Sequence, residues 1–190
     1  MRKTNSKPVG SRARLSVAEQ KIINDLRLDT SSRVLVIGDV HAPFERPDYL
    51  QFCIDTYHKY RCNQVVFIGD IIDNHFSSYH ETDADGKGGG DELDLCIRRV
   101  ADWYQAFPDA YVTIGNHDAI IMRKAQSSAI PSRWIKHYNE VLQTPKWKWV
   151  TDIVINDVRY VHGHKSSKAR TAARRDMQST VTGHFHTDMY

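Results

Sequence analysis

Five short strings in this 190-residue chain collect the side chains that bind metal ions: "GDVH" (38–41), "GDIID" (69–73), "GNHD" (115–118), "HGH" (162–164) and "GHFH" (183–186). Their donors are carboxylate, amide and imidazole, with no thiolate. Asp39, His41, Asp70, Asn116, His162, His184 and His186 form an oxygen-and-nitrogen set that suits Mn²⁺, Fe, Zn²⁺ or Ni²⁺ better than Ca²⁺. Seven donors exceed what one catalytic ion takes. They suit two ions that share a bridging carboxylate, typically about 3.5–4 Å apart.

For that chemistry the strings must meet in space, and the elements around them give the means. "RVLVIGDVH" (33–41), "VVFIGD" (65–70) and "YVTIGNHD" (111–118) are apolar runs ending in a glycine-bearing polar cluster, as strands buried on both faces do. Between them the spacing predicts helices over roughly 47–60 and 91–107, the second marked by Leu93, Ile97, Val100, Tyr104 and Phe107. Alternating strands and helices give an α/β domain with much parallel pairing. The carboxyl ends of parallel strands line one edge, where ligands bind. On extended backbone, residues two apart point to the same side, so Asp39 should reach with His41, and His184 with His186.

Downstream, "WKWVTDIVINDVRYVHG" (147–163) reads as two strands around "NDV", "KSSKARTAARRDM" (165–177) as a short basic helix, and "STVT" as a strand leading into "GHFH". "TDADGKGGGD" (82–91) reads as a mobile loop near the cleft. It is no P-loop, because Lys87 is followed by Gly88, and it has too few acids for an EF-hand. Residues 1–15 read as a basic flexible arm and 16–190 as one domain, opening on a helix over 16–28 with a Ser16/Glu19 capping box.

The 41% hydrophobic and 26% charged residues are those of an ordinary globular protein, and the net charge of +3 allows a polyanionic partner without requiring one. Cys53, Cys62 and Cys96 form neither a disulfide framework nor a zinc ribbon, which fits a reducing cytoplasm. No run approaches the ~18 apolar residues of a membrane span. The oligomeric state is left open.

Any one of the five strings is a weak signal. All five in order, from about residue 33 to 187, resemble the calcineurin-like metallophosphoesterase superfamily. The resemblance implies two facing β-sheets flanked by helices, an α-β-β-α sandwich, with a dinuclear site at the strand ends. It implies one ion on Asp39, His41 and His186, a second on Asn116, His162 and His184, and Asp70 as the bridge. It makes His117 the substrate-facing histidine and Asp73 the residue that orients its ring. Mn²⁺ is the first choice of metal. A metal-bridging hydroxide would attack phosphorus in line, and His117 would protonate the leaving alkoxide. Two divalent ions, less the Asp39 and Asp70 charges and one hydroxide, leave about one positive charge to attract a phosphate ester.

Departures from the family pattern narrow the substrate. Phosphoprotein phosphatases of the superfamily carry phosphate-gripping arginines where this chain has Asn74 and, before "GNH", Ile114 and Gly115. That favours a phosphodiesterase or nuclease, with a phosphomonoesterase or protein phosphatase as the alternative. A non-enzymatic interaction module would lack ligands, and all seven are here. Family nucleases carry a further capping region, and members usually add strands after the last histidines. Four residues follow His186, so the resemblance implies a chain shortened at its C-terminus. Lys165, Lys168, Arg170, Arg174 and Arg175 read chiefly as a solvated face, with nucleic-acid contact as the lesser reading. Trp134, Trp147 and Trp149 read chiefly as core or edge cover, with base stacking as the lesser reading. His164 sits behind the ligands or toward substrate, and His75 could line the cleft.

Overall fold

The apolar runs leading into the first three polar strings become parallel strands. A computed structural model describes residues 16–30, 32–79, 88–163 and 169–185, and the chain divides into two compact units, Met1–Ser31 and Ser32–Tyr190. In the first unit, helix α1 (Val17–Thr30) starts on a reciprocal cap. The Glu19 N–H donates to Ser16 Oγ at 3.2 Å, while the Ser16 N–H and hydroxyl donate to Glu19 Oε2 at 2.8 and 2.7 Å. The segment read as an arm lies outside the described residues.

In the second unit, β1 (Val34–Ile37), β2 (Gln64–Phe67), β3 (Tyr111–Thr113) and β4 (Lys148–Val150) form an all-parallel sheet in that order. Its strands alternate between two apolar layers, which is why they read as continuous hydrophobic runs. Leu35, Ile37, Val65, Phe67 and Val112 pack against helices α2 (Tyr49–Lys59) and α3 (Gly89–Ala106), with Cys53, Cys96 and Trp103. Val34, Val36, Val66 and Ile68 face a second sheet through Ile153, Ile155, Val158, Tyr160 and Val181. That sheet is β5 (Asp152–Ile155), β6 (Val158–Val161) and β7 (Ser179–Thr182), antiparallel then parallel. Helix α6 (Ala169–Asp176) packs on β7. The result is two sheets flanked by helices.

Several elements differ from the sequence reading. The stretch 147–163 holds three strands. β4 closes the first sheet, and only β5 and β6 form the hairpin, turning at Asn156 and Asp157 with φ of 49° and 62°. A two-residue hairpin turn needs such left-handed conformations, which Asn and Asp tolerate; the change of sheet at Thr151 leaves no mark in an alternating pattern. α3 begins inside the glycine run, at Gly89, and its buried stripe is Glu92, Cys96, Val100 and Trp103. Helix α4 (Ile120–Ser127), a 3₁₀ turn (Ser132–Trp134) and the short α5 (Tyr138–Val141) fill a region with no clear periodicity.

The three tryptophans part company. Trp147 is buried and donates its Nε1–H to the Phe107 carbonyl at 2.8 Å, Trp149 stacks on Tyr138 at 4.3 Å, and Trp134 is 78% exposed. Among the described residues no helix is long and apolar enough to cross a membrane.

Phe67 is the hub of the helix-facing layer, with ring centroids 4.7 Å from Trp147, 5.9 Å from Trp103 and 6.4 Å from Phe107. Phe67→Ala should therefore lower the unfolding free energy by about 3–5 kcal/mol, read from urea denaturation. A loss below about 1 kcal/mol would mean that this layer is not a packed core.

Candidate metal centre

The sheet strands stop short of the residues that could bind metal. β1 ends at Ile37 and β2 at Phe67, and the chain then turns through left-handed conformations at Asp39 (φ 38°), His41 (51°), Asp70 (50°) and Asn74 (51°), and again at His184 (73°). Such positions cost on the order of 1–3 kcal/mol each for non-glycine residues and persist only where the surroundings enforce them. Asp39 and His41 do approach one another, but through this backbone and not through strand alternation.

The two loops are stitched together. The His41 N–H donates to the Asp70 carbonyl at 2.9 Å, the Ala42 N–H to Ile71 at 2.8 Å, and the Asp73 N–H to Ala42 at 3.0 Å. Tyr49 pins the start of the first loop, donating its hydroxyl to the Gly38 carbonyl and accepting the Gly38 N–H.

The second loop folds around Asp118, which is 1% exposed. One carboxylate oxygen accepts the N–H groups of Ile71 and Ile72 at 3.0 and 3.3 Å, and the other those of Asp70 and Gly115 at 2.9 and 2.8 Å. Burial, and next the charge of Asp70, push its carboxyl up to about 6 against the pull of these donors. Two glycines complete the close approach. A Cβ at Gly115 would run into the Asp70 amide and carboxylate, and one at Gly69 (φ 94°) would lie 2.8 Å from His162 Cγ and 2.9 Å from its Cβ.

Asp70 is the meeting point, 2% exposed. Its Oδ1 accepts the His117 N–H at 2.8 Å, and its Oδ2 faces His162 Nε2 at 3.1 Å and His41 Nε2 at 3.9 Å. His162 Nδ1 lies 2.8 Å from the Ile68 carbonyl, which can only accept, so Nδ1 carries the proton. Nε2 then turns its lone pair toward Asp70 and toward Asn116 Oδ1 at 3.0 Å. His41 is fixed the same way, its Nδ1 donating to Asp73 Oδ1 at 2.7 Å.

Buried acceptors aimed at one another require a cation between them, either a proton or a metal ion. A proton can fill that role. Burial depresses the pKa of His41 and His162, but the hydrogen bonds and charges of the carboxylates outweigh it and both are raised. Burial likewise lifts Asp70, and the bonds from His162 and His117 bring it below the usual range.

Among the described residues three groups have their donor atoms within 4.8 Å, Asp39/His41/Asp70, Asp70/His162/His184 and His41/Asp73/His117; Asp70 belongs to the first two, and in the third Asp73 already holds the two rings by hydrogen bonds. This arrangement fits two ions sharing one carboxylate. His184 is carried in by its N–H, which donates to the Asp39 carboxylate at 3.1 and 3.2 Å, and its ring lies 5.2 Å from that of His162. His186 and His164 lie outside the described residues.

Residue 73 serves two rings. Its carboxylate holds His41, the carboxylate–histidine pairing that fixes a ligand's tautomer. Its peptide carbonyl takes the His117 Nδ1–H at 2.6 Å, with the carboxylate 3.7 Å from the same nitrogen. Asn74 donates its side-chain amide to the His117 carbonyl at 3.0 Å. Behind this loop stands α3. The buried Glu92 carboxylate accepts the N–H groups of His75 and Phe76 at 2.7 and 2.9 Å, and Arg99 pairs with Glu45 at 3.1 Å. The sequence reading gave no role to Asp118 or Glu92. Asp118 was visible as the last residue of "GNHD", and Glu92 as an acid in a helix's buried stripe. Cys53 and Cys96 are buried, their thiols pushed up to about 11 and about 12, which removes them as nucleophiles.

The calcineurin-like phosphoesterase family model matches residues 32–188, nearly all of the unit that carries both sheets and the site. The chain belongs to that family. No curated protein and no solved structure matches it.

Asp118→Asn would set an NH₂ group against backbone N–H donors, costing on the order of 3 kcal/mol of stability and about 10–100-fold in Mn²⁺ affinity. Denaturation and metal-binding calorimetry measure the two effects separately. Because metal binding must displace protons held by His41 and His162, Mn²⁺ titration should release protons and its apparent affinity should fall as the pH is lowered. Calorimetry in buffers of different ionisation enthalpy reads this directly; a heat independent of buffer would contradict it.

Proposed function

We propose that this chain hydrolyses phosphodiesters with two divalent cations, Mn²⁺ first among them. Asp39, His41 and His186 would hold one ion, Asn116, His162 and His184 the other, and Asp70 both. Bound there, the cations would supply an activated water and positive charge for the phosphoryl oxygens. His117 is the proton carrier: with Nδ1 committed to the Asp73 carbonyl, Nε2 is the nitrogen that can exchange a proton with a leaving alkoxide. The Asp73 carbonyl and Asn74 hold that ring and its backbone, so orientation needs no substrate-induced movement.

The commitment of Asn74 carries the preference for diesters. A monoester dianion is best held by a bidentate guanidinium. At the position where phosphoprotein phosphatases place one, Asn74 spends its amide on the His117 carbonyl. Ile114 offers an aliphatic side chain and donates its N–H to Val150 at 2.9 Å. A diester carries one negative charge, which matches the charge of about one left on a loaded centre.

With Mn²⁺, bis-p-nitrophenyl phosphate should be turned over faster than p-nitrophenyl phosphate. Robust monoester turnover with no detectable diester turnover would refute the preference. His117→Ala should keep its metal and lose about 10²–10⁴-fold in turnover, whereas Asp70→Ala should lose the metal itself. Equal metal loss in both variants, by elemental analysis, would contradict this division of roles.

A further inference from the structure

Beside the centre lies a surface that the hydrolytic chemistry does not use. α4 starts on the His117 carbonyl, which accepts the Ile120 N–H at 3.1 Å, so the segment that follows leads directly away from the site. From Ala119 to Asn139 that segment holds Arg123, Lys124, Arg133 and Lys136 and no acidic residue, in a chain whose acids nearly equal its cations, 23 against 26.

Two exposed aromatic rings flank these cations. Tyr79, six residues beyond Asp73 in sequence, is 60% exposed, with the Arg123 guanidinium 5.3 Å and the Lys124 ammonium 5.2 Å from its ring centre. Lys124 also donates to the Ser78 carbonyl at 3.3 Å, tying α4 to the loop that follows Asp73. Trp134, the most exposed of the tryptophans, sits with Arg133 on the 3₁₀ turn that packs against α4. At 78% exposure Trp134 offers the flat face of its ring to solvent beside the Arg133 cation.

We infer that this surface binds single-stranded nucleic acid and feeds its phosphodiester backbone to the metal centre, with Tyr79 and Trp134 stacking bases and Arg123, Lys124, Arg133 and Lys136 meeting phosphates. Rings interspersed with cations match a polymer that alternates flat bases with anions, and stacking of this kind is tolerant of sequence. A duplex hides its base faces and offers the rings nothing. The inference rests on the diesterase reading for its direction and names the substrate class of that same site.

The test is fluorescence anisotropy of the whole, metal-free chain with a labelled oligo(dT) of about a dozen nucleotides, beside an abasic strand and a duplex of equal length. The wild type should bind oligo(dT) about tenfold or more tighter than the abasic strand and the duplex. Tyr79→Ala and Trp134→Ala should each weaken binding about tenfold, and Tyr79→Phe and Trp134→Phe should retain it, which separates stacking from misfolding. Arg123→Ala combined with Lys124→Ala should reduce the slope of log Kd against log salt by about 1.4, at about 0.7 per phosphate of a single strand. Equal affinity for the abasic and base-bearing strands, tighter binding of duplex, or an unchanged salt slope overturns the inference. Wild-type turnover of bis-p-nitrophenyl phosphate without oligonucleotide binding defeats this inference and leaves the diesterase reading standing. Oligonucleotide binding without diester turnover defeats the diesterase reading and the delivery of strand to the metal centre, and leaves only the binding surface standing.

Discussion

A carboxylate at 2% exposure, facing the lone pair of an imidazole that also meets an amide oxygen, can exist in a folded protein only if positive charge is shared among those groups. That is the situation of Asp70, and the geometry around it follows from the requirement. The Ile68 carbonyl and the Asp73 carboxylate each fix one ring nitrogen of His162 and His41 as a donor, so the other nitrogen of each ring must accept. A proton can satisfy the arrangement: the carboxylates raise the pKa of both histidines, and the His162 and His117 bonds lower that of Asp70. Divalent cations satisfy it better, because each can take several donors at once.

Holding such a cluster costs backbone strain, and the fold spreads the cost over rigid neighbours. Left-handed residues at Asp39, His41, Asp70, Asn74 and His184 are enforced by hydrogen bonds from outside their own loops. Asp118 gathers four N–H groups from two segments, and the 39–43 and 70–73 loops pair with each other. Glu92 and Arg99, both on α3, reach the two loops at separate points. α3 is in turn set by Trp103 and Cys96 in the main core, so packing energy between sheet and helix is transmitted to the donor atoms.

The same construction separates the buried donors from the exposed segment that follows them. Groups on the inner side of the loops are buried and committed to one another. The segment after "GNHD", by contrast, has no acid from Ala119 to Asn139 and leaves Trp134 exposed beside Arg133. Exposed segments of this kind tolerate variation without disturbing the buried groups behind them.

The sequence by itself determined the family, because it sets oxygen and nitrogen donors such as Asp39, Asp70, Asn116, His162 and His184 after apolar runs, five times in one order. It also determined the α/β layering, since runs such as "VLVI" and "VVF" are stable only with both faces covered. Tertiary structure alone decided how the donors meet. Left-handed turns, and not strand alternation, aim Asp39 and His41, and the Asp73 carboxylate turned out to lie on His41 while its carbonyl holds His117. It also decided which tryptophan stayed in water, that β4 and β5 belong to different sheets, and that Asp118 and Glu92 are struts. The physical reason is range: donor type and apolar period are local properties of a chain, whereas burial, hydrogen-bond partners and sheet membership depend on residues tens of positions away.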